Sequence, residues 1–147
     1  MKPIVIIGAG PAGIRAAQTL VAHGVRPVLL DEAARGGGQI YRRQPANFKR
    51  SAVKLYGFEA RKAKALHQTL DTLREQLDYR PDTLVWNAEA DALDTLHEGR
   101  AARIEFSRVI VATGATDRIL PVQGWTLPGV YSLGAAQIAL KFQGCAI

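Results

Sequence analysis

Cysteine is almost absent from this chain, since its 147 residues contain only Cys145. A single thiol cannot form a disulfide within the chain, a CxxC redox pair or a multi-cysteine metal or iron–sulfur site. Disulfide frameworks are typical of secreted proteins. The composition therefore favours a reducing compartment, and we expect a cytoplasmic location.

Long apolar runs are also missing. The first apolar run, Ile4–Ile7, follows Lys2 as in a secretory signal, but it ends after four residues at Gly8. A signal core needs about seven to fifteen apolar residues and a membrane helix about 20. The sequence therefore predicts a globular domain with neither a signal peptide nor a membrane span.

Basic residues are in excess but are not concentrated. The formal net charge is +6, from 19 Lys and Arg against 13 Asp and Glu, which suits an anionic partner. The densest basic groups are Arg42–Arg43, Lys49–Arg50 and Arg61–Lys64, and no aromatic platform or recognition motif accompanies them. A nucleic-acid-binding domain is thus one hypothesis, but we interpret most of these residues as solvated surface and expect no nucleic-acid partner.

Known arrangements of metal ligands and nucleophiles are lacking as well. His23, His67 and His97 lie far apart, without the spacing of a metal site, and no serine lies in a GxSxG motif. We expect no metal site and assign no catalytic residue to this chain.

The amino-terminal third has the pattern of a βαβ unit. Ile4–Ile7 is wholly apolar, as in a strand buried on both faces. A helix is predicted from Ala12 to about His23, with Gly24 at its end, and Val28–Leu30 is the next strand.

The remaining pattern completes a single domain. We predict a loop over 34–50, a helix over 59–77, strands in 84–93 and 102–106 around a turn at 97–99, and a central strand over 109–112. After Thr113 the chain is predicted to be mostly loop, until a helix over 133–142. The fold class is a three-layer α/β, Rossmann-like domain with a parallel sheet and a small antiparallel β excursion over residues 84–106.

The first strand is followed by the glycine spacing GxGxxG. Gly8 permits a sharp exit from the strand, Gly10 lets a pyrophosphate approach the backbone, and Gly13 allows close packing of helix on sheet. The helix N-terminus offers unpaired N–H groups and a partial positive charge to phosphates. This turn predicts a dinucleotide site.

An acidic residue follows the second strand. Asp31 lies 23 positions after Gly8, where a carboxylate accepts hydrogen bonds from the ribose hydroxyls of a dinucleotide and repels the 2′-phosphate of NADP. Glu32 is the alternative, because a shift of one residue is compatible with the pattern.

Two more glycine-containing segments belong to the same prediction. GGGQIYRR (36–43) lets the backbone approach a bulky ligand, and VIVATGA (109–115) ends a strand at Thr113 and Gly114. Ligands of open parallel sheets bind beyond the carboxyl ends of the strands. The turns after the first and last strands should therefore line one crevice.

These motifs together resemble the FAD-dependent pyridine nucleotide–disulfide oxidoreductase superfamily. The segments GGQIYRR and GWTLPGVYSLGAAQ are most similar to the flavin subunits of opine oxidases, hydrogen cyanide synthase and related amine dehydrogenases. The resemblance implies FAD rather than NAD at the first site. It places the pyrophosphate on Gly8, Gly10, Pro11, Ala12 and Gly13, the adenosine ribose on Asp31 or Glu32, the ribityl–pyrophosphate stretch along Gly38, Gln39 and Arg43, the adenine beside the backbone of Asn87 or Ala88, and a cover over the cofactor at Ala112, Thr113 and Gly114.

The resemblance also indicates what lies beyond this sequence. Relatives continue into a second dinucleotide fold and then complete the FAD domain, so residues 1–147 are expected to be an incomplete FAD-binding domain. Residues 115–147 would form the crossover toward the second domain, which would bind NAD(P), and a further segment or subunit would complete the FAD site.

The expected function is the FAD-binding part of a flavin-dependent oxidoreductase. Its flavin would oxidise a small amine-type or opine-type substrate or exchange hydride with a pyridine nucleotide. The alternative is a non-catalytic module that binds NAD or ADP without flavin chemistry.

Overall fold

The computed structural model describes residues 1–145, which form two β-sheets and a layer of helices. Ala146 and Ile147, the end of the predicted crossover 115–147, lie outside the described residues. The strands are β1 (Ile4–Ile7), β2 (Val28–Leu30), β3 (Asp78–Arg80), β4 (Thr83–Ala88), β5 (Ala92–His97), β6 (Arg100–Glu105) and β7 (Arg108–Val111). The helices are α1 (Pro11–Ala22), α2 (Ala52–Tyr56), α3 (Ala60–Leu73) and α4 (Leu133–Ile138), with 3-10 turns at Gly57–Glu59 and Arg74–Gln76 and a π turn at Ala139–Gln143.

The parallel sheet has the strand order β3-β2-β1-β7, and β4, β5 and β6 form a separate antiparallel sheet. Successive side chains of a strand point to opposite faces. Ile6 accordingly packs with Ile14 of α1 and Leu70 of α3, whereas its neighbour Val5 packs with Leu93 of the antiparallel sheet. The resulting order of helices, parallel sheet and antiparallel sheet confirms the predicted three-layer, Rossmann-like class.

The prediction was wrong about the region between α3 and β4. The helix expected over 59–77 ends at Leu73 and a 3-10 turn, and the chain then forms β3, which had not been predicted. The three residues of β3, DYR, include two charged side chains and give no apolar run. Such a short edge strand is recognised only from its pairing with β2, in which Leu29 lies opposite Tyr79.

The helix predicted near the carboxyl terminus is present as α4 and the π turn. Its start is fixed by two caps: the Asp117 carboxylate accepts a hydrogen bond from the N–H of Gly134 at 2.6 Å, and the Ser132 hydroxyl accepts one from Ala135 at 3.1 Å. Capping by Ser and Asp side chains satisfies N–H groups that have no partner within the helix.

The segment that leads to this helix is attached at both ends to the same place. The Gln39 amide donates to the carbonyl oxygen of Ala115 at 3.2 Å, and the Lys141 ammonium group donates to that of Ile40 at 2.9 Å. Residues 115–141 therefore form a loop with both ends on adjacent residues of the segment after β2. We call residues 115–141 the pinned loop.

Candidate functional site

The turn after β1 has no room for side chains at two of its glycines. Gly8 has a φ of 103°, in the left-handed region that favours glycine, and a Cβ there would lie 2.4 Å from the carbonyl oxygen of Ala112. A Cβ on Gly13 would lie 1.8 Å from the carbonyl oxygen of Gly8. The glycine spacing therefore lets α1 begin directly against the end of β1.

The amino end of α1 is open to a ligand. No side chain caps it, and its first turn contains no acidic residue. The N–H groups of Ala12 and Gly13 consequently have no partner within the helix. A Cβ on Gly10 would meet only the Cα of Gly38, 3.7 Å away. Unpaired N–H groups and the positive end of the helix dipole here suit a phosphate.

Asp31 is bonded to the main chain of this turn. Its carboxylate accepts hydrogen bonds from the N–H of Ala9 and, at 2.7 Å, from that of Ala33, and the residue is only 9% exposed. Burial raises the pKa of the Asp31 carboxyl, and the two N–H donors partly oppose that rise. Asp31 thus ties the end of β2 to the glycine turn, while its neighbour Glu32 is exposed.

The glycine-rich segment after β2 contacts the turn directly. The N–H of Gly37 donates to the carbonyl oxygen of Ala9 at 2.7 Å. A Cβ on Gly38 would lie 3.0 Å from the Cα of Gly10. Only glycine allows the two backbones to approach so closely. Gln39 follows them and is exposed.

The end of β7 reaches the same edge, because the N–H of Ala112 donates to the carbonyl oxygen of Ile7 at 2.8 Å. Thr113 and Gly114 follow it and are exposed. The structure therefore brings together the residues predicted after β1, β2 and β7, as the carboxyl edge of a parallel sheet requires.

The structure places Arg43 away from this edge. Its guanidinium group donates to both carboxylate oxygens of Asp71, at 3.0 and 3.2 Å, and to the carbonyl oxygen of His67. Its neighbour Arg42 lies over the ring of Phe142, 6.0 Å from the centroid. The predicted phosphate contact of Arg43 is therefore not made by the arrangement described, because α3 supplies a carboxylate that binds its guanidinium group.

Asn87 and Ala88 also lie far from the glycine turn. The Asn87 amide donates to Asp94 at 2.9 Å, and the hairpin that follows Ala88 brings Asp91 within 2.7 Å of the Lys2 ammonium group. Lys2 precedes β1, so this hairpin lies at the amino edge of the parallel sheet. The expectation of a backbone contact between these residues and an adenine at the carboxyl edge is corrected by this placement.

Residues 81–83 occupy the position that the sequence had suggested for Asn87 and Ala88. The N–H of Asp31 donates to the carbonyl oxygen of Arg80 at 3.1 Å, and the N–H of Thr83 donates to that of Asp31 at 2.9 Å. These residues were missed because β3 was missed. The one available signal was Pro81, which ends the short strand.

Other kinds of site find no support in residues 1–145. Within this range, no three His, Cys, Asp or Glu side chains are grouped so that they could hold a metal ion. None of the helices described above is both long and apolar enough to span a bilayer.

Comparisons with known proteins agree with this geometry. The chain is 42% identical to an opine oxidase subunit from Rhizobium meliloti over 151 residues, which cover 96% of this chain and 28% of that protein. It is 36% identical to hydrogen cyanide synthase subunit HcnB of Pseudomonas aeruginosa, over 96% of this chain and 30% of that protein. The chain thus spans about three-tenths of the length of these relatives.

Solved structures show the same fold. The crystal structure of L-proline dehydrogenase from P. horikoshii matches 95% of this chain and 28% of its own, with a TM-score of 0.75 and 24% identity. A NAD-dependent persulfide reductase from A. fulgidus matches 94% of this chain and 26% of its own, with a TM-score of 0.64 and 16% identity.

The family assignment depends on the sequence match rather than on these structural likenesses. Residues 2–141 match the family described as pyridine nucleotide-disulphide oxidoreductase, which is nearly the whole sequence. The chain therefore belongs to the pyridine nucleotide-disulphide oxidoreductase family.

Proposed function

We propose that this chain binds FAD through its ADP half and forms part of the FAD-binding domain of a flavin-dependent oxidoreductase. The observation that carries the proposal is the turn after β1, where main-chain N–H groups at an uncapped helix end face a space free of side chains. Family membership supports a dinucleotide as the ligand.

The ADP half would lie along the carboxyl edge of the parallel sheet. The main chain of Gly8–Gly13 would hold the diphosphate, and Gly38, Gln39 and residues 112–114 would lie along the ribityl side. Residues 81–83, rather than Asn87 and Ala88, would border the adenosine. This assignment follows the positions of these residues around Asp31.

For the ribose we propose Glu32, with Asp31 as the residue that fixes the turn. Both oxygens of the Asp31 carboxylate accept main-chain N–H groups, and the residue is nearly buried. The carboxylate of Glu32 is exposed and is available to accept hydrogen bonds from two hydroxyls. Its negative charge would also disfavour a 2′-phosphate.

When bound, FAD accepts a hydride equivalent from the substrate and passes electrons onward. The residues of this chain bind and orient the cofactor, and none is assigned a catalytic role. The names of the relatives, the hydrogen cyanide synthase subunit HcnB and an opine oxidase subunit, support an amine-type or opine-type small substrate. They are named as subunits, which supports a further chain as partner. We place the protein in the cytoplasm.

We further propose that residues 1–147 are an incomplete FAD-binding domain. Residues 115–147 would cross toward a second domain, where NAD(P) would bind. The support is the share of the relatives that the chain covers, 28% and 30%. A longer protein or a partner chain would then supply the remaining contacts to the flavin.

Titration of the purified chain with FAD, ADP and NADP, followed by calorimetry, tests the proposal. We expect FAD to bind roughly tenfold more tightly than ADP, about 1.4 kcal/mol, because the segments after β2 and β7 add contacts beyond the ADP half. NADP should bind most weakly. FAD affinity no greater than that of ADP would favour a non-catalytic ADP or NAD module instead, and absence of binding by either would refute the dinucleotide site.

The variant Glu32→Gln tests the ribose assignment. Loss of a charged acceptor costs about 1.5–3 kcal/mol, so FAD affinity should fall roughly tenfold to a hundredfold while the unfolding temperature stays unchanged. Glu75→Gln, an equal change of charge in the 3-10 turn after α3, is the matched control. Unchanged FAD affinity in Glu32→Gln would refute the role of Glu32.

A further inference from the structure

A second pocket lies behind the glycine-rich segment, between residues 35–44, α2 and α3. It encloses about 310 Å³, and its walls include Arg35, Arg43, Gln44, Leu55, Tyr56 and Lys64. We call it the α2–α3 pocket. The glycine turn lies on the other side of the segment, where Gly38 faces Gly10. A ligand in the α2–α3 pocket would therefore not occupy the dinucleotide site.

The charge of the α2–α3 pocket is positive. Asp71 pairs with Arg43 and balances its charge. Lys64 pairs with no carboxylate among residues 1–145. Arg35 uses one N–H of its guanidinium group, which donates to the carbonyl oxygen of Gln44 at 3.0 Å. His67 adds no charge near neutral pH, because burial lowers its pKa.

Two side chains of the pocket also keep buried polar atoms without a partner in the part of the chain that the structure describes. They are the Nε of Arg43, a donor, and the Oε1 of Gln44, an acceptor. The other atom of the Gln44 amide donates to the carbonyl oxygen of Arg50 at 2.9 Å, which leaves Oε1 open. A buried polar atom without a hydrogen bond costs about 1–3 kcal/mol, so a ligand that satisfies both atoms would be favoured.

The rest of the wall is apolar or aromatic. Leu55 is buried and Tyr56 half-buried, and the ring of Tyr56 stands edge-on to His67 with centroids 6.0 Å apart. Small-molecule sites commonly combine such a wall with a few convergent polar groups. The pocket thus offers two available cations, one further donor, one acceptor and an apolar surface.

We propose that the α2–α3 pocket binds a small organic acid with an apolar body, whose carboxylate lies near Arg35 and Lys64 and whose neighbouring hydroxyl or amino group donates to Gln44. The carboxylate meets the unpaired charges, and the donor satisfies the Gln44 oxygen. This site is separate from the FAD site and does not depend on the function proposed above.

Binding is tested on the full chain with racemic phenyllactate, which has a carboxylate, a neighbouring hydroxyl and an aromatic body. Amide resonances of residues 35–44 and 52–68 should shift on titration, and those of Gly8–Gly13 should not. The probe 3-phenylpropanoate, without the hydroxyl, and phenyllactamide, without the charge, should each bind at least about fivefold more weakly. ADP should not compete.

The variant Lys64→Gln should weaken phenyllactate binding at least about fivefold, whereas Arg61→Gln should leave it unchanged. Both residues are exposed on α3, and only Lys64 lines the pocket, so the two variants share the same loss of charge. Unfolding temperatures confirm that both variants fold. Equal affinities in the two variants, binding of inorganic phosphate as tight as that of phenyllactate, displacement by ADP, or no resonance shifts would each overturn the proposal.

Discussion

Two glycine turns stand side by side at the carboxyl edge of the sheet, and they are built differently. The turn after β1 is enclosed: a Cβ on Gly8 or Gly13 would collide with main-chain oxygen atoms. The turn after β7 is open, since a Cβ on Gly114 would meet nothing within 4 Å. The first turn is fixed by contacts within the chain, whereas the second has space around it.

The same contrast continues along the chain. The residues that follow the enclosed turn are the core of α1, in which Ile14 and Ala17 are fully buried. The pinned loop that follows the open turn instead exposes large apolar side chains, at Ile119, Leu120, Val122, Trp125, Leu127, Val130, Tyr131 and Leu133. The enclosed turn therefore carries stability, and the open turn contributes little to it.

The comparison is tested most strongly by Gly13→Ala and Gly114→Ala. In Gly13→Ala the new Cβ would lie 1.8 Å from the Gly8 oxygen, so α1 must move and we expect a loss of about 3 kcal/mol or more. Gly114→Ala meets only the strain of its φ of 75°, about 1–2 kcal/mol. Urea unfolding measures both, and equal losses would show that the turns do not differ.

A change of intermediate size is expected at Asp31. Asp31→Asn has a single acceptor oxygen for the two N–H groups of Ala9 and Ala33, so it should lose about 1–3 kcal/mol at neutral pH. The matched control is Asp82→Asn, whose side chain is exposed after β3. An Asp31→Asn chain as stable as wild type would remove Asp31 from its positioning role.

The pH dependence of Asp31 gives a further measurement on the same pair of chains. Burial raises the pKa of the folded carboxyl, so its contribution to stability is fully present below the ordinary Asp pKa of about 3.9 and is lost as the pH rises through the folded pKa. The stability of wild type relative to Asp31→Asn should therefore decrease as the pH rises from about 4. An increase over that range would show that the folded pKa is lowered instead.

The smallest effect is expected at Asp117, the cap of α4. Asp117→Ala removes the acceptor of the Gly134 N–H, which is worth about 1 kcal/mol at a helix start. Hydrogen exchange should accelerate for residues 134–138 and remain unchanged for β1 and β2. Ser132→Ala, which removes the other cap, is the parallel case, and faster exchange throughout the sheet would contradict the local role of the caps.

The sequence predicted what is encoded within short segments. The apolar run of β1, the glycines that follow it and the spacing of α1 are local, so the elements and their contact with β7 were anticipated. The partners of Arg43 were not, because Asp71 lies 28 positions away and only the packing of α3 brings it near. The adenosine side was misassigned for a related reason: β3 has too few apolar residues to be recognised, and the adenine contact was therefore placed one strand too late in the chain.

The pinned loop has a consequence for how related chains vary. Because Ala115 and Lys141 are held by the adjacent residues Gln39 and Ile40, the distance between the ends of the loop is set independently of its length. Doubling the length of a flexible loop adds only about 0.6 kcal/mol of closure entropy. Evolution can therefore lengthen, shorten or replace the middle of this excursion while the nucleotide edge keeps its shape.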